Sequence, residues 1–407
     1  MRCRSCRSEH IQRIIELGRQ PLANSLRRDL RDGEHQYPLT LCFCNNCSLV
    51  QLEETVPKEK LFSNYIWLTG TSKSTQKYAK LFFQNVKKIS KIKKKDLILE
   101  IASNDGTFLK PFVRVGYNVL GIDPAKNISN IANKHGIKTI NAFWDEHIAS
   151  KVEKKHGKAK VIIARNVIPH VKDLHSVIQG IAMMLKKEGV GVIEFHSAVT
   201  ILQELHYDSI YHEHLYYFTL HTLERLLEKN NLYTFHVDTS SISGGSYVVY
   251  FSKQLKVKTS AYQKYKALEK KSGVLELKKW EIFRERCLEH KARSLKFFKK
   301  NFPQTIIGFG ASARSATYMN YCGISSMDIK VMIDNNVSKQ GFLTPGSLVP
   351  ILSLQEGLSY DPNLIFIFAW NFKEEIIKTC RHAGYKGEFV TAFPNTLSVI
   401  CKRGATR

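Results

Sequence analysis

Residues 97–109 read LILEIASNDGTFL and contain the main indication of the fold. A short apolar strand ends at Glu100, a loop of small residues follows, and a helix is predicted to begin near Thr107. In open α/β sheets, ligands bind beside such loops, and small residues let backbone amides approach the ligand. The G-x-G-x-x-G dinucleotide fingerprint is absent, which disfavours a nicotinamide cofactor.

Strand-like and helix-like segments alternate around this loop. The apolar runs NVLGID (118–123), VIIARNV (161–167) and GVGVIEF (189–195) predict a parallel α/β sheet built from βαβ units. YVVYFS (247–252) predicts a late antiparallel strand. Upstream, apolar residues recur at helical spacing over residues 72–89, which predicts a helix.

A second α/β alternation occupies the C-terminal part of the chain. It contains TIIGFGASARSATYM (305–319), IKVMID (329–334) and LIFIFAW (364–370). The Lys- and Glu-rich stretch 255–300 that precedes it predicts one or two long helices joining domains. We therefore predict an α/β protein with domain boundaries near residues 75 and 255.

Two C-x2-C pairs near the N-terminus, Cys3/Cys6 and Cys44/Cys47, predict a structural zinc site. Each pair forms a tight turn that directs both sulfurs to one point, and four thiolates leave no open position for a catalytic zinc. Cys42 competes for one position, but Cys44 completes the C-x2-C turn. The pairs lie further apart than in short-spaced zinc patterns, and four reduced cysteines without metal are the alternative.

Residues after the later strands are candidates for cofactor binding. Asp123 ends the second strand and is placed to accept hydrogen bonds from ribose hydroxyls, unless it is a turn residue before Pro124. Phe143 and Trp144 either pack on an adenine or belong to the core. Asn166 follows the fourth strand, where this kind of fold lines its cleft.

Residues 211–214 read YHEH and are dense in titratable groups. His214 titrates near neutral pH and can take a proton from carbon or oxygen. The carboxylate of Glu213 can fix the tautomer of a histidine, and Tyr211 can donate to a developing oxyanion. A metal-binding pair and a hydrogen-bonded surface turn are the alternatives.

The chain resembles the sugar C-methyltransferases of deoxysugar biosynthesis, over nearly all of residues 1–375. The shared motifs are the cysteine pairs, with CSLVQL after the second, then EIASNDGTFL, GIDPA, NVIPHV, DSIYHEHLYYFTL, GGSYVVY, GFGASARSATYMNYCGI, DNNVSKQGFLTPGSLVPI and FAWN. The family methylates C3 of nucleotide-linked 4-keto-6-deoxysugars. The resemblance implies a zinc-binding domain at 1–75, a class I methyltransferase domain at 76–255, and a helical linker with a C-terminal Rossmann-like substrate-binding domain at 256–407.

The resemblance also implies roles for single residues. His214 is expected to be the base that removes the C3 proton, Glu213 to hold His214 or contact the sugar, and Tyr211 and His170 to contact the substrate. The cofactor, S-adenosylmethionine (SAM), is expected against Glu100, Ala102, Asn104, Asp105, Gly106, Asp123, Phe143, Trp144 and Asn166. Of these, Ala102 stands where the family usually has glycine.

The substrate is expected between the last two domains. Arg314 lies in a strand-to-helix loop, where it could pair with a diphosphate, unless it is a solvated surface arginine. The family's aromatic pair corresponds here to Tyr65 and Trp67, and tryptophan cannot replace a hydroxyl that accepts hydrogen bonds. The expected substrate contacts are Tyr65, Trp67, Arg314, Asp334, Lys339 and Asn371.

Composition limits the remaining possibilities. The 407 residues carry a net charge of +25, and this positive field favours an anionic partner such as nucleic acid, a membrane surface or a nucleotide diphosphate, unless the lysines only form solvated helix faces. The resemblance implies that the partner is a dTDP- or GDP-linked keto-deoxysugar. No apolar run approaches the ~20 residues that span a bilayer and no secretory signal is evident, so we expect a cytoplasmic monomer. A zinc-containing nucleic-acid-binding protein and an O- or N-methyltransferase are the competing hypotheses; the basic residues are dispersed, which disfavours nucleic acid.

Overall fold

The computed structural model describes residues 1–29, 33–57, 61 and 68–401 of the chain. Its strands form sheets of four, seven and six strands. The strands are β1 (Ile11–Pro21), β2 (Gln36–Cys44), β3 (Val50–Leu52), β4 (Leu97–Ile101), β5 (Asn118–Asp123), β6 (Thr139–Asn141), β7 (Ala159–Arg165), β8 (Leu185–His196), β9 (Tyr216–Tyr217), β10 (Tyr233–Ser240), β11 (Ser246–Ser252), β12 (Ile306–Phe309), β13 (Met332–Ile333), β14 (Ile351–Leu352), β15 (Leu364–Ile367), β16 (Glu388–Thr391) and β17 (Ser398–Cys401).

Helices connect most of these strands. They are α1 (Lys73–Ser90), α2 (Lys110–Arg114), α3 (Lys126–Lys134), α4 (Glu146–His156), α5 (Leu174–Met184), α6 (Ala198–Glu204), α7 (Leu220–Glu228), α8 (Ser260–Ser272), α9 (Leu277–Asn301), α10 (Ala313–Cys322), α11 (Leu354–Leu358) and α12 (Lys373–His382). Helix α1 confirms the helix predicted over 72–89. It begins where the Ser72 side chain accepts the Thr75 N–H, and it buries Phe82 and Val86 on one face.

The seven-stranded sheet has the order β10-β11-β8-β7-β4-β5-β6. Strands β8, β7, β4, β5 and β6 are parallel, as predicted, and β11 runs antiparallel to β8, which confirms the late antiparallel strand. All five residues of β4 are buried, which explains its uninterrupted apolar sequence. The strand order reverses at β4, so the carboxyl ends of β4 and β7 border the crevice where open sheets bind ligands.

The loop after β4 departs from the expectation that a helix begins near Thr107. Helix α2 begins at Lys110 and has only five residues. The Asp105 carboxylate accepts the Thr107 N–H at 3.1 Å, and the Gly106 carbonyl accepts the N–H of Leu109. These bonds, together with the positive φ of Gly106, continue the turn before the helix can start.

The six-stranded sheet has the order β14-β13-β12-β15-β16-β17, and its first five strands are parallel. Its order also reverses at the first strand along the chain, β12, which confirms the second α/β unit. The stretch expected to hold one or two long helices forms α8 and α9, and α9 buries Trp280 and Phe283 completely. No helix among the described residues is long and apolar enough to cross a bilayer.

The four-stranded sheet joins distant parts of the chain. Its order is β1-β2-β3-β9, and all its pairings are antiparallel. Strands β1–β3 come from the N-terminal unit, whereas β9 follows residues 211–214 directly. In the pairing, Val50 lies opposite Tyr217 and Gln51 opposite Tyr216. The N-terminal unit therefore holds the chain at the point where the YHEH segment ends.

Candidate active site

The four predicted zinc ligands lie together at one end of the four-stranded sheet. The sulfur atoms of Cys3, Cys6, Cys44 and Cys47 are all within 4.8 Å of one another. The Sγ–Sγ distances are 3.6 Å for Cys3–Cys47 and 3.5 Å for Cys6–Cys44. Tetrahedral coordination with Zn–S bonds of about 2.3 Å requires sulfurs roughly 3.8 Å apart, so the group fits a zinc ion. Cys42 is buried on β2 and does not belong to the group.

The two cysteine turns have the same backbone structure. In the first turn the Arg7 N–H donates to the Cys3 carbonyl at 2.9 Å, and in the second the Ser48 N–H donates to the Cys44 carbonyl at 2.8 Å. Arg7 and Ser48 both adopt positive φ, at 67° and 60°. Two matching turns that point their sulfurs at one centre are typical of a structural metal site.

The loop after β4 has the backbone of a ligand-binding turn. Ala102 and Asn104 adopt positive φ of 52° and 51°, which non-glycine residues rarely do away from functional sites. Gly106 has a φ of 74°, and a Cβ there would lie 2.8 Å from the side chain of Ile137. Glycine is therefore required at Gly106, whereas alanine is accommodated at position 102.

Two predicted carboxylates organise this loop. Asp123, at the end of β5, accepts the Asn104 N–H at 2.8 Å and the Ala125 N–H at 2.9 Å, while burial raises its pKa. Asp105 accepts the Gly70 N–H at 3.0 Å. The expected cofactor carboxylates thus lie side by side at the carboxyl ends of β4 and β5, and the segment before α1 covers the loop.

Three buried polar atoms beside the loop have no hydrogen-bond partner in the described part of the chain. They are Glu100 Oε2, Ser103 Oγ and Thr107 Oγ1. Burial raises the pKa of Glu100 to about 8, although Arg165 opposes this effect. A buried unpaired acceptor requires a donor, and the ammonium and hydroxyl groups of SAM are such donors. The residues present therefore fit this cofactor.

The other predicted cofactor residues lie in two different environments. Trp144 is buried in the core between α4 and α5, and its indole N–H donates to the Val177 carbonyl at 3.2 Å. This placement corresponds to the core alternative, because the ring surface is already covered by protein. Phe143 is only half-buried. Asn166 has a φ of 49° directly after β7, at the edge of the crevice.

The YHEH segment holds His214 in a single tautomer. The Ser209 carbonyl lies 3.0 Å from Nδ1, and a carbonyl can only accept, so Nδ1 carries the hydrogen. Nε2 is then the lone-pair nitrogen, and it accepts from the Tyr211 hydroxyl at 2.8 Å. The ring of His170 lies 4.7 Å from the ring of His214. The Ser209 carbonyl therefore orients the His214 ring, and of the two roles expected for Glu213, holding His214 or contacting the sugar, this carbonyl takes the first.

Burial controls the charge of this segment. Burial, with a smaller contribution from His170, holds the pKa of His214 well below 6.5. Burial also lowers the pKa of His170 to about 4 and raises that of Glu213 to about 7. Both imidazoles are consequently neutral near pH 7, as a general base requires, and Glu213 is close to its titration point.

The N-terminal unit contacts the same segment through side chains that sequence reasoning missed. His212 Nε2 lies 3.0 Å from the Pro38 carbonyl, and the Asn24 side-chain amide donates to Glu213 Oε1 at 2.5 Å. Asn24 and Glu213 are 189 positions apart. No local pattern connects such residues, and only the pairing of β3 with β9 could have indicated their proximity.

Arg314 lies between the two larger sheets rather than on the surface. Its guanidinium contacts the Ser209 hydroxyl, lies 3.3 Å from His196 Nδ1 and 4.0 Å from Asp208, and stacks over the Trp370 ring. The alternative of a solvated surface arginine is therefore wrong, because the side chain is only 13% exposed. The expected pairing with a diphosphate remains a prediction.

The other expected substrate residues surround the loop after β12. Asp334 accepts the Ala311 N–H at 2.9 Å and lies 3.4 Å from the Lys339 ammonium, which also donates to the Ala311 carbonyl at 2.6 Å. Asn371 is half-buried in the turn that follows β15. These residues lie at the carboxyl ends of strands, where nucleotides bind in such sheets. Tyr65 and Trp67 are outside the described residues.

Comparisons with known proteins match three successive regions of the chain. Family models match residues 3–62 ("Putative zinc binding domain"), 75–237 ("Methyltransferase domain") and 241–394 ("C-methyltransferase C-terminal domain"). The ubiquinone biosynthesis O-methyltransferase of Bartonella bacilliformis is 31% identical over 94 residues, which is 23% of this chain and 38% of that protein. A SAM-dependent methyltransferase from Clostridium acetobutylicum has a TM-score of 0.36 at 14% identity, covering 45% of this chain and 92% of that one.

One similarity extends over almost the whole chain. The C-methyltransferase NovU of Streptomyces niveus is 30% identical over 383 residues, which is 92% of this chain and 91% of that protein. The seven-stranded sheet is thus a class I methyltransferase domain, and the four clustered cysteines lie in the part that matches the zinc-binding model. The chain belongs to the family of C-methyltransferases that includes NovU, and it is a SAM-dependent methyltransferase.

Proposed function

We propose that the protein methylates C3 of a nucleotide-linked 4-keto-6-deoxysugar. The observation that carries the proposal is the fixed tautomer of His214, whose lone pair on Nε2 faces a phenol and lies next to a second imidazole. A hydrogen next to a ketone is acidic only if the enolate is stabilised as it forms. Residues 211–214 supply both a base and a donor, because His214 Nε2 can accept the proton and the Tyr211 hydroxyl can donate to the enolate oxygen.

The first step is removal of the C3 hydrogen by His214 Nε2. The C–H electrons form the C3–C4 double bond, and the ketone electrons move to oxygen. Tyr211, now released from Nε2, is the proposed donor to that oxygen, and His170 is a proposed contact of the substrate. Ser209 stabilises the new imidazolium by accepting from Nδ1–H. When bound, SAM supplies the electrophilic methyl group that the enolate carbon takes.

Burial keeps the proposed base in its neutral form. Because the pKa of His214 lies well below 6.5, its neutral form dominates at pH 7 and needs no activation by deprotonation. The negative charge that develops on the enolate raises the basicity of the adjacent nitrogen only as the reaction proceeds. The base is therefore available before the reaction and becomes stronger during it.

The proposal also includes a structural zinc ion and a binding site for the nucleotide diphosphate. The four thiolates hold a structural zinc that leaves no open position for catalysis. The net charge of +25 and the strand-to-helix loop before α10 favour an anionic diphosphate between the two larger sheets. The Lys339–Asp334 pair and Asn371 lie around this loop and are the proposed nucleotide contacts.

The test is incubation of the enzyme with labelled SAM and a panel of dTDP- and GDP-linked 4-keto sugars, followed by mass analysis of the products. The proposal expects one methyl group on C3. It also expects solvent deuterium to enter C3 without SAM, because deprotonation precedes transfer. A methyl group found on oxygen or nitrogen, with no deuterium exchange, would instead identify the protein as an O- or N-methyltransferase.

A further inference from the structure

The zinc-binding unit contributes a side chain to the candidate active site. Asn24 lies in the loop after β1, and its amide donates to Glu213 Oε1 at 2.5 Å. Glu213 is 3% exposed, so this contact is made away from bulk water. The carboxylate is next in sequence to the proposed base, which is only partly covered.

We infer that Asn24 is a positioning residue of the active site, whose amide holds the Glu213 carboxylate in one orientation beside the sugar. The inference rests on the proposed function, in which residues 211–214 act on a keto sugar. A carboxylate can accept from Asn24 through one oxygen and from a sugar hydroxyl through the other. A neutral carboxyl group would present one acceptor fewer, and its orientation would be less restricted.

The electrostatic surroundings make this contact important. Burial raises the pKa of Glu213 to about 7, and the Asn24 hydrogen bond is the contact that lowers it. Among the residues that the structure describes, the other groups facing Glu213 do not supply a positive charge. Tyr211 is a neutral phenol whose pKa burial and Glu213 raise, and His170 bonds to the Glu213 backbone as a neutral ring.

The loop that carries Asn24 is anchored on its other side by the C-terminal domain. Arg27 and Leu343 exchange two backbone hydrogen bonds, at 3.0 and 2.7 Å. The Glu34 carboxylate accepts the Gly346 N–H at 3.0 Å. Asn24 is thus held between the zinc-binding unit, the C-terminal domain and the base segment, and its amide is a direct polar link from the first of these to Glu213.

The test is the pH dependence of kcat/KM for the full-length zinc-loaded enzyme and three variants. Asn24→Ala removes the donor, Asn24→Asp replaces it with a second carboxylate at constant size, and Ser25→Ala changes the exposed neighbouring side chain as a control. Loss of the donor raises the pKa of Glu213. The acidic limb of the kcat/KM–pH profile should therefore lie about one to two pH units higher for Asn24→Ala than for the wild type. Asn24→Asp should move it further. Both variants should recover part of the wild-type kcat/KM at alkaline pH, and Asn24→Asp should recover less because two ionised carboxylates then repel each other.

A purely structural role predicts a different result. It would lower kcat/KM by the same factor at every pH, and that outcome, or a profile identical to the wild type, would overturn the inference. Zinc content and the thermal midpoint of each variant show whether the unit is still folded. If Asn24→Ala does not fold, the pH profile of kcat/KM for the isosteric Asn24→Asp variant distinguishes the two roles.

A second measurement needs no substrate and separates this inference from the proposed function. Infrared difference spectra of the wild type against Glu213→Gln, recorded over pH, report the protonation of Glu213 alone. The inference expects titration near neutrality, moved upward in Asn24→Ala. If Glu213 titrates in this way but no keto sugar is methylated, the proposed substrate is wrong and the Asn24 contact stands. If Glu213 titrates at the same pH in the wild type and in Asn24→Ala, the Asn24 assignment is wrong.

Discussion

Replacement of His214 by asparagine is the most direct test of the proposed chemistry. The asparagine amide nitrogen occupies nearly the position of Nδ1, so it can still donate to the Ser209 carbonyl, 3.0 Å from Nδ1 in the native enzyme. Only the second ring nitrogen, which accepts from Tyr211 at 2.8 Å, is lost. The substitution therefore removes the proposed base and keeps the hydrogen bond that orients it.

Two magnitudes follow from this geometry. A positioned general base contributes typically about 10²–10⁴-fold, which at about 1.36 kcal/mol per tenfold corresponds to about 2.7–5.4 kcal/mol of transition-state stabilisation. The Tyr211 hydroxyl also loses its acceptor, and an unsatisfied buried hydroxyl costs about 1–3 kcal/mol of folding stability. His214→Asn should therefore be nearly inactive and measurably less stable.

The assay measures C3 deuterium exchange without SAM, methyl transfer with SAM, and the dissociation constant of SAM by calorimetry. We expect exchange and transfer to fall together, while SAM binding changes little. Tyr211→Phe is the control for stability, since it removes the hydroxyl that would lose its acceptor. The double variant with His214→Asn should regain part of the lost stability but no activity. If His214→Asn keeps near-normal exchange at C3, another residue is the base and the reasoning from the tautomer is wrong.

Two further predictions concern the metal and the cofactor. Cys44→Ser should lose the zinc and should unfold at a temperature lower by roughly 5 °C or more. Cys42→Ser should keep one zinc per chain by elemental analysis, because the Cys44 sulfur belongs to the cluster and the Cys42 sulfur does not. Equal loss of zinc in both variants would contradict the site. Glu100→Gln should weaken SAM binding by about tenfold, because a charge-assisted hydrogen bond is lost. Since the pKa of Glu100 is about 8, wild-type affinity should rise from about pH 6 towards pH 8 as the carboxylate ionises, and calorimetry should detect no such rise in the variant.

Local sequence patterns were sufficient for the architecture. Several features depend on residues only a few positions apart. They are the apolar runs that become β4, β5 and β7, the helical spacing of α1 and the two C-x2-C turns. Short-range patterns of this kind favour particular secondary structures, so the strands, the parallel sheets and the cysteine cluster could be predicted. The start of the helix after residue 106 could not, because side-chain bonds within the loop determine it.

The candidate site depends on contacts that only the tertiary structure reveals. The sequence could not decide whether Trp144 packs in the core or on a cofactor, since both environments suit an indole. Nor could it place Arg314 against Trp370, or Asn24 against Glu213, because these partners come from different parts of the chain. The sequence alone thus determined which chemical groups are present and on which elements they lie. Which nitrogen of His214 carries the proton was decided by the folded conformation of residues 209–214, because the Ser209 carbonyl accepts from Nδ1 only in that turn. Which side chains surround the turn was decided by the packing of distant parts of the chain, such as the loop that carries Asn24.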